Sequence, residues 1–95
     1  MTAYLVANVT VRNAENMEAY AAAAGPTLAA HGGELILDGQ LSETLSGDWN
    51  APGVALVRFP SLEAAQTWYN SPEYQALTSL RASAADMDIA LFAPA

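Results

Sequence analysis

The chain contains no cysteine and no lysine. The first absence excludes disulfides, thiolate nucleophiles and cysteine-ligated zinc or iron–sulfur centres. The second leaves Arg12, Arg58 and Arg81 as the only permanently cationic side chains, against ten acids and a net charge of −7. Such a field repels phosphate backbones and anionic headgroups, so neither nucleic acid nor a membrane surface is an expected partner. The acids are scattered, which reads as a solvated face. No apolar run approaches the length of a membrane span, and no basic segment leads into an apolar one, so a cytoplasmic protein is expected. One histidine among scattered acids makes no metal-ligating pattern. No serine has a histidine and an acid at motif spacing, and Gly32-Gly33 alone is not a phosphate loop.

What the chain does have is apolar surface, 53% of its 95 residues. A single domain of this size buries about 60–65% of the surface its unfolded form exposes. Part of the apolar content is therefore left for a subunit interface.

Ala3 to Val11 is apolar and β-branched without helical spacing, and predicts a strand. Leu5, Ala7 and Val9 fall on one face, and Tyr4, Val6, Asn8 and Thr10 on the other. A helix opens at Asn13 or Ala14, with Met17, Tyr20, Ala24 and Leu28 as its stripe. Gly25-Pro26 predicts a kink or two abutting helices, and His31-Gly32-Gly33 ends the element. Glu34 to Leu45 reads as a second strand with a bulge or bend at Gly39. Ser46 to Gly53 is a loop, and Val54 to Phe59 a third strand. Ser61 caps a short helix; Ser71-Pro72-Glu73 starts another that runs to about Ala85. Met87 to Ala93 completes a single βαββαβ domain over residues 1–95. This is an α+β, ferredoxin-like arrangement with helices on one face of an antiparallel sheet. The other face remains apolar and uncovered, which predicts a homodimer.

Several segments resemble the bacterial domain of unknown function 1330 family, within the dimeric α/β-barrel superfamily. They are Glu18-Ala19-Tyr20, Pro26, Ala30-His31-Gly32-Gly33, Gly47-Asp48-Trp49, Phe59-Pro60-Ser61 and Trp68-Tyr69-Asn70-Ser71-Pro72-Glu73-Tyr74 through Leu80-Arg81. The resemblance implies a dimer whose sheets face each other, and a pocket between sheet and helices. It lends no single reaction, since superfamily relatives include cofactor-independent monooxygenases, lactone isomerases, polyketide cyclases and haem enzymes. Asp38 stands where such proteins usually carry arginine, Arg58 where an acid is usual, and Gly53 where a basic residue is common. An Asp38–Arg58 ion pair of reversed polarity is the corresponding expectation.

Among side chains able to carry chemistry, His31 is the chain's one imidazole, the residue type suited to moving protons near neutral pH. Its place at a helix end also fits a plain capping role. Arg81 lies seven residues after Tyr74, at the edge of an apolar helical face, where a guanidinium needs a carboxylate, carbonyls or a bound anion. Asp86 or Asp88 would serve as an internal partner; a substrate carboxylate or enolate is the functional alternative. Asp86 and Asp88 themselves are read as pointing to opposite sheet faces, which suits neither a carboxylate dyad nor a metal. Trp49 in its polar loop fits a lid or an interface plug. Tyr69 and Tyr74 belong to an aromatic stripe with Trp68, and a hydroxyl turned inward orients a phenolic or carbonyl ligand.

Two functions follow. In the first, the chain holds a small aromatic or anionic organic molecule between sheet and helices. Any catalysis is then cofactor-independent isomerisation, cyclisation or oxygenation, with Arg81 on the developing charge and His31 or Tyr69 moving the proton. Tyr74, Trp49, Asn8, Arg58 and Asp38 line the ligand site in this reading, and no cofactor or metal is needed. In the second, it is a non-catalytic dimeric binding or accessory module. The environment of Arg81 separates the two: a cavity and a shifted titratable neighbour favour the first, a carboxylate partner and no cavity the second.

Overall fold

The computed structural model describes Met1–Ala95. Four strands and four helices follow one another: β1 (Ala3–Val11), α1 (Ala14–Ala30), β2 (Glu34–Gln40), β3 (Gly53–Phe59), α2 (Leu62–Tyr69), α3 (Pro72–Gln75), α4 (Thr78–Ala84) and β4 (Ala85–Phe92). The sheet is antiparallel in the order β2-β3-β1-β4. This is the βαββαβ topology expected from the pattern of elements.

Alternation along β1 divides the sheet. Leu5 and Ala7 face the helices and are buried with Val57, Phe59, Tyr20, Ala24, Ala65, Trp68 and Tyr74 in one core. Tyr4, Val6, Asn8 and Thr10 take the opposite face. Their cross-strand neighbours Arg58, Leu56 and Val54 on one side, and Phe92, Ala90, Asp88 and Asp86 on the other, share it. No helix covers that face, and the molecule measures only 16 Å through its thinnest direction.

The helices begin where capping chemistry places them. The side chains of Asn13, Ser61 and Ser71 accept from the backbone N–H of Asn16, Ala64 and Tyr74 respectively. At the far end of α1, Gly32 adopts φ +77, a left-handed position natural to glycine.

Three local expectations are corrected, and a fourth is narrowed to one of its two alternatives. Helix α1 passes through Gly25-Pro26 as one element, because its apolar stripe stays packed on the sheet on both sides of the proline. Strand β2 stops at Gln40 rather than Leu45; Leu41 donates to Pro52 O at 2.7 Å and closes the loop there. Its bulge lies between Leu35 and Leu37, not at Gly39. The single helix expected after Ser71 is two, α3 and α4, broken at Ala76 and Leu77.

Candidate functional site

The α2–α3 junction fixes the centre of the site. Ser71 is buried, accepts from Tyr74 N–H and donates to Trp68 O at 2.7 Å, so one hydroxyl ends α2 and starts α3. Tyr74 therefore returns against Trp68, six residues before it, with ring centroids 4.1 Å apart, and is fully buried. Two turns later, Arg81 on α4 leans back along the helix as helical side chains do. Its Nη1 donates to the Tyr74 hydroxyl at 2.7 Å, and its guanidinium carbon stands 5.8 Å from that ring's centroid. The Tyr74 hydroxyl also bonds the Tyr20 hydroxyl of α1 at 2.8 Å.

Arginine 81 is thus held by a phenol and not by an acid. Arg12 pairs with Asp86 and Arg58 with Glu34, which leaves Arg81 as the arginine without a carboxylate. Burial acts against its charge, but the hydroxyls of Tyr74 and Tyr69 outweigh that, and its pKa lies above the ordinary arginine value. Burial, reinforced by the bond to Tyr74, also pushes Tyr20 well above the usual tyrosine range.

Two hollows flank this cluster between sheet and helices. A groove of about 450 Å³ runs between α2 and the β4 edge, floored by Leu5, Ile89 and Leu91, with Arg81 and Tyr69 on its wall and Asp88 at its rim. A tighter cavity of about 210 Å³ lies beneath α1, lined by Tyr20, Ala24, Leu28 and Val57, with Asp38 among its walls. Trp68 lines both and stands between them, its indole N–H held by Thr27 Oγ1 at 3.0 Å. A larger depression of about 690 Å³ opens beside Trp49 on the uncovered face. Asp48, Asp86 and Asp88 line it, a poor setting for an anion despite Arg12 and Arg81 at its margin.

The family model for a domain of unknown function, DUF1330, matches residues 2–94. The chain belongs to the DUF1330 family. Among curated proteins, none matches it. Solved structures share the fold. A protein of unknown function from Rhodopseudomonas palustris, RPA0582, superposes with a TM-score of 0.82 at 23% identity, over 99% of this chain and 82% of that one. SnoaB from Streptomyces nogalater, described as a cofactor-independent oxygenase, gives 0.72 at 17% identity, over 99% and 93%. A dimeric ferredoxin-like protein of unknown function from Bacteroides fragilis gives 0.56 at 11%, over 96% and 94%. At these identities the likeness is one of architecture.

In this DUF1330 chain, three of the anticipated site residues come together: Arg81, Tyr74 and Tyr69. The others disperse. His31 lies at the α1 C-terminus, where its backbone N–H bonds Leu28 O, and it borders a separate polar depression with Glu63 and Glu73. Trp49 and Asn8 line the larger depression on the uncovered face, which Arg81 also borders, away from Tyr69 and Tyr74. The anticipated Asp38–Arg58 pair does not form. The bulge shifts β2 by one residue, so Asp38 stands opposite Ala55 on the helix side, while Arg58 on the open face binds Glu34. Asp86 and Asp88 share a face instead of opposing one another. Residues two apart on a strand point the same way, and both pair with open-face partners, Thr10 and Asn8. Asp86 binds Arg12, so it does not serve Arg81. Sequence reasoning passed over Tyr20 as part of an apolar stripe. The one hydroxyl in that stripe was its signal, since a buried phenol requires a partner.

Proposed function

We propose that this chain binds a small anionic, aromatic organic molecule in the groove between α2 and the β4 edge, its charged oxygen against Arg81. The observation that supports this is the company Arg81 keeps. Phenol hydroxyls position the guanidinium without neutralising it, and a guanidinium has five N–H donors, more than Tyr74 can absorb. The apolar floor of Leu5, Ile89 and Leu91 accepts a ring. A homodimer is part of the proposal: it would cover the open sheet face that carries Leu56, Leu37 and Phe92.

Benzoate serves as the probe. Calorimetry is expected to give one site per chain in the wild type. In Arg81→Met affinity falls about tenfold to a hundredfold, the worth of one charge-assisted hydrogen bond. Equal affinity in the two proteins would remove the assignment.

A second reading, turnover without a cofactor, is favoured by the alignment of Tyr20, Tyr74 and Arg81. A chain of donors ending on a cation stabilises negative charge as it develops at an enolised carbon. The oxygenase description of SnoaB lends that reading a reaction class by analogy. Accelerated deuterium exchange at the acidic carbon of a β-dicarbonyl acid, lost in Arg81→Met, would support it. No acceleration in the wild type would leave binding alone.

A further inference from the structure

The two hollows between sheet and helices share a partition: Leu5, Trp68, Met87 and Ile89 line both of them. Trp68 is its fixed part, buried and held by Thr27 Oγ1 at 3.0 Å. Met87 is its adaptable part. It is half-buried and unbranched, with a thioether that repacks around a guest where a branched side chain would clash.

Beyond the partition, the smaller cavity crosses the whole sheet. Its floor runs from Met87 and Ile89 on β4, over Ala7 of β1 and Val57 of β3, to Leu35 on β2. Three strand spacings make that crossing about 14 Å. A volume of about 210 Å³ drawn out over such a length is a slot, one hydrocarbon chain wide and too thin for fused rings. Since an apolar cavity of roughly 150 Å³ holds benzene, the slot admits about six carbons. Its wall offers burial and no spare donor. The Tyr20 hydroxyl is engaged with Tyr74 and the Trp68 indole with Thr27. The charge on the wall is that of Asp38, exposed at the β2 end, which disfavours a second anionic group there.

We infer that the ligand of the Arg81 groove carries an aliphatic tail that passes Met87 into this slot. The substrate class is then an aromatic acid with an uncharged alkyl chain of about six carbons. The inference rests on the groove assignment: Arg81 holds the acid, the floor of Leu5, Ile89 and Leu91 takes the ring, and the slot selects the tail by length.

Benzoate and its para-alkyl derivatives, from methyl to octyl, are the probes. By calorimetry, affinity is expected to rise about threefold per added carbon, up to about six carbons, and to level beyond. Benzoate shifts the methyl resonances of Leu91 in the groove alone; para-hexylbenzoate also shifts those of Leu28, which lines the slot. A tail ending in a second carboxylate loses the gain, and so does Ala24→Leu, which fills the slot beneath α1. Arg81→Met weakens benzoate and para-hexylbenzoate by the same factor. If it weakens neither, the groove assignment fails and the inference falls with it. If it weakens both while affinity is flat with chain length, or Leu28 stays unmoved, the inference alone is overturned. A gain with chain length that shifts only Val6 and Leu56 reports adsorption to the open sheet face, and overturns it too. The chain-length series and the resonance shifts are read on the wild type and need no variant to fold.

Discussion

Tyr20 contributes to stability in a way that pH makes visible. Its folded pKa is raised above the value near 10 that an unfolded tyrosine shows. Stability from this shift is fully present below pH 10 and is lost as pH rises toward the folded value, because the unfolded chain releases the proton first. Urea unfolding between pH 8 and 11.5 should therefore decline above pH 10, by up to about 1.4 kcal/mol per pH unit from this residue. Tyr20→Phe should lose that component, and should be about 1–3 kcal/mol less stable at pH 8, since the buried hydrogen bond between the Tyr20 and Tyr74 hydroxyls is lost. An unchanged alkaline slope in the variant would refute the account. Arg81 could be recognised from sequence because a charge on an apolar stripe demands explanation. For Tyr20 the sequence signals only that a buried hydroxyl needs a partner; which partner was not legible, because it lies 54 positions away and depends on how α1 and α3 pack.

Among the elements, the short α3 turn depends most on a single side chain. Ser71 joins α2 to α3 through two hydrogen bonds and carries Tyr74 into place. Ser71→Ala should cost about 1 kcal/mol, as loss of an N-cap does, lowering Tm by about 4–8 °C for a domain of this size. A Tm within 1–2 °C of the wild type, on the order of measurement scatter, would contradict the capping account. Caps of this kind were legible, as were strand types and order, because Ser-Pro-Glu and alternating β-branched residues act locally. The bulge in β2 was not. Nothing in Leu35-Ile36-Leu37 distinguishes a bulged run from a regular one, and Gly39 was the more conspicuous candidate. That one displaced residue also moved Asp38 to the helix side, away from Arg58. The parity error at Asp86 and Asp88 was of another kind, since the two-residue period of a strand suffices to place them together.

On the scale of the whole molecule, the uncovered sheet face is the dominant feature. Leu37 is 49% exposed and Phe92 57%, and Val6, Val54 and Leu56 lie between their strands on the same side. A homodimer formed through this face should sediment at twice the 9.9 kDa of the chain. Leu56→Asp, which puts a charge at its middle, should shift the equilibrium to monomer. A monomeric wild type at micromolar concentration would remove the dimer from the proposal. No helix is long and apolar enough to cross a membrane. The architecture was legible because it follows from element order; the two hollows were not, because they arise from which side chains leave space between layers. The bulge gives the sheet one further property. Ile36 is the surplus residue of β2, so a chain lacking it would still set Leu37 against Leu56 and Asp38 against Ala55. Deletions ordinarily invert every side chain beyond them in a strand. Here the sheet carries one position that can be excised with its neighbours' facing intact, a place where the chain can change length without changing which side of the sheet its residues serve.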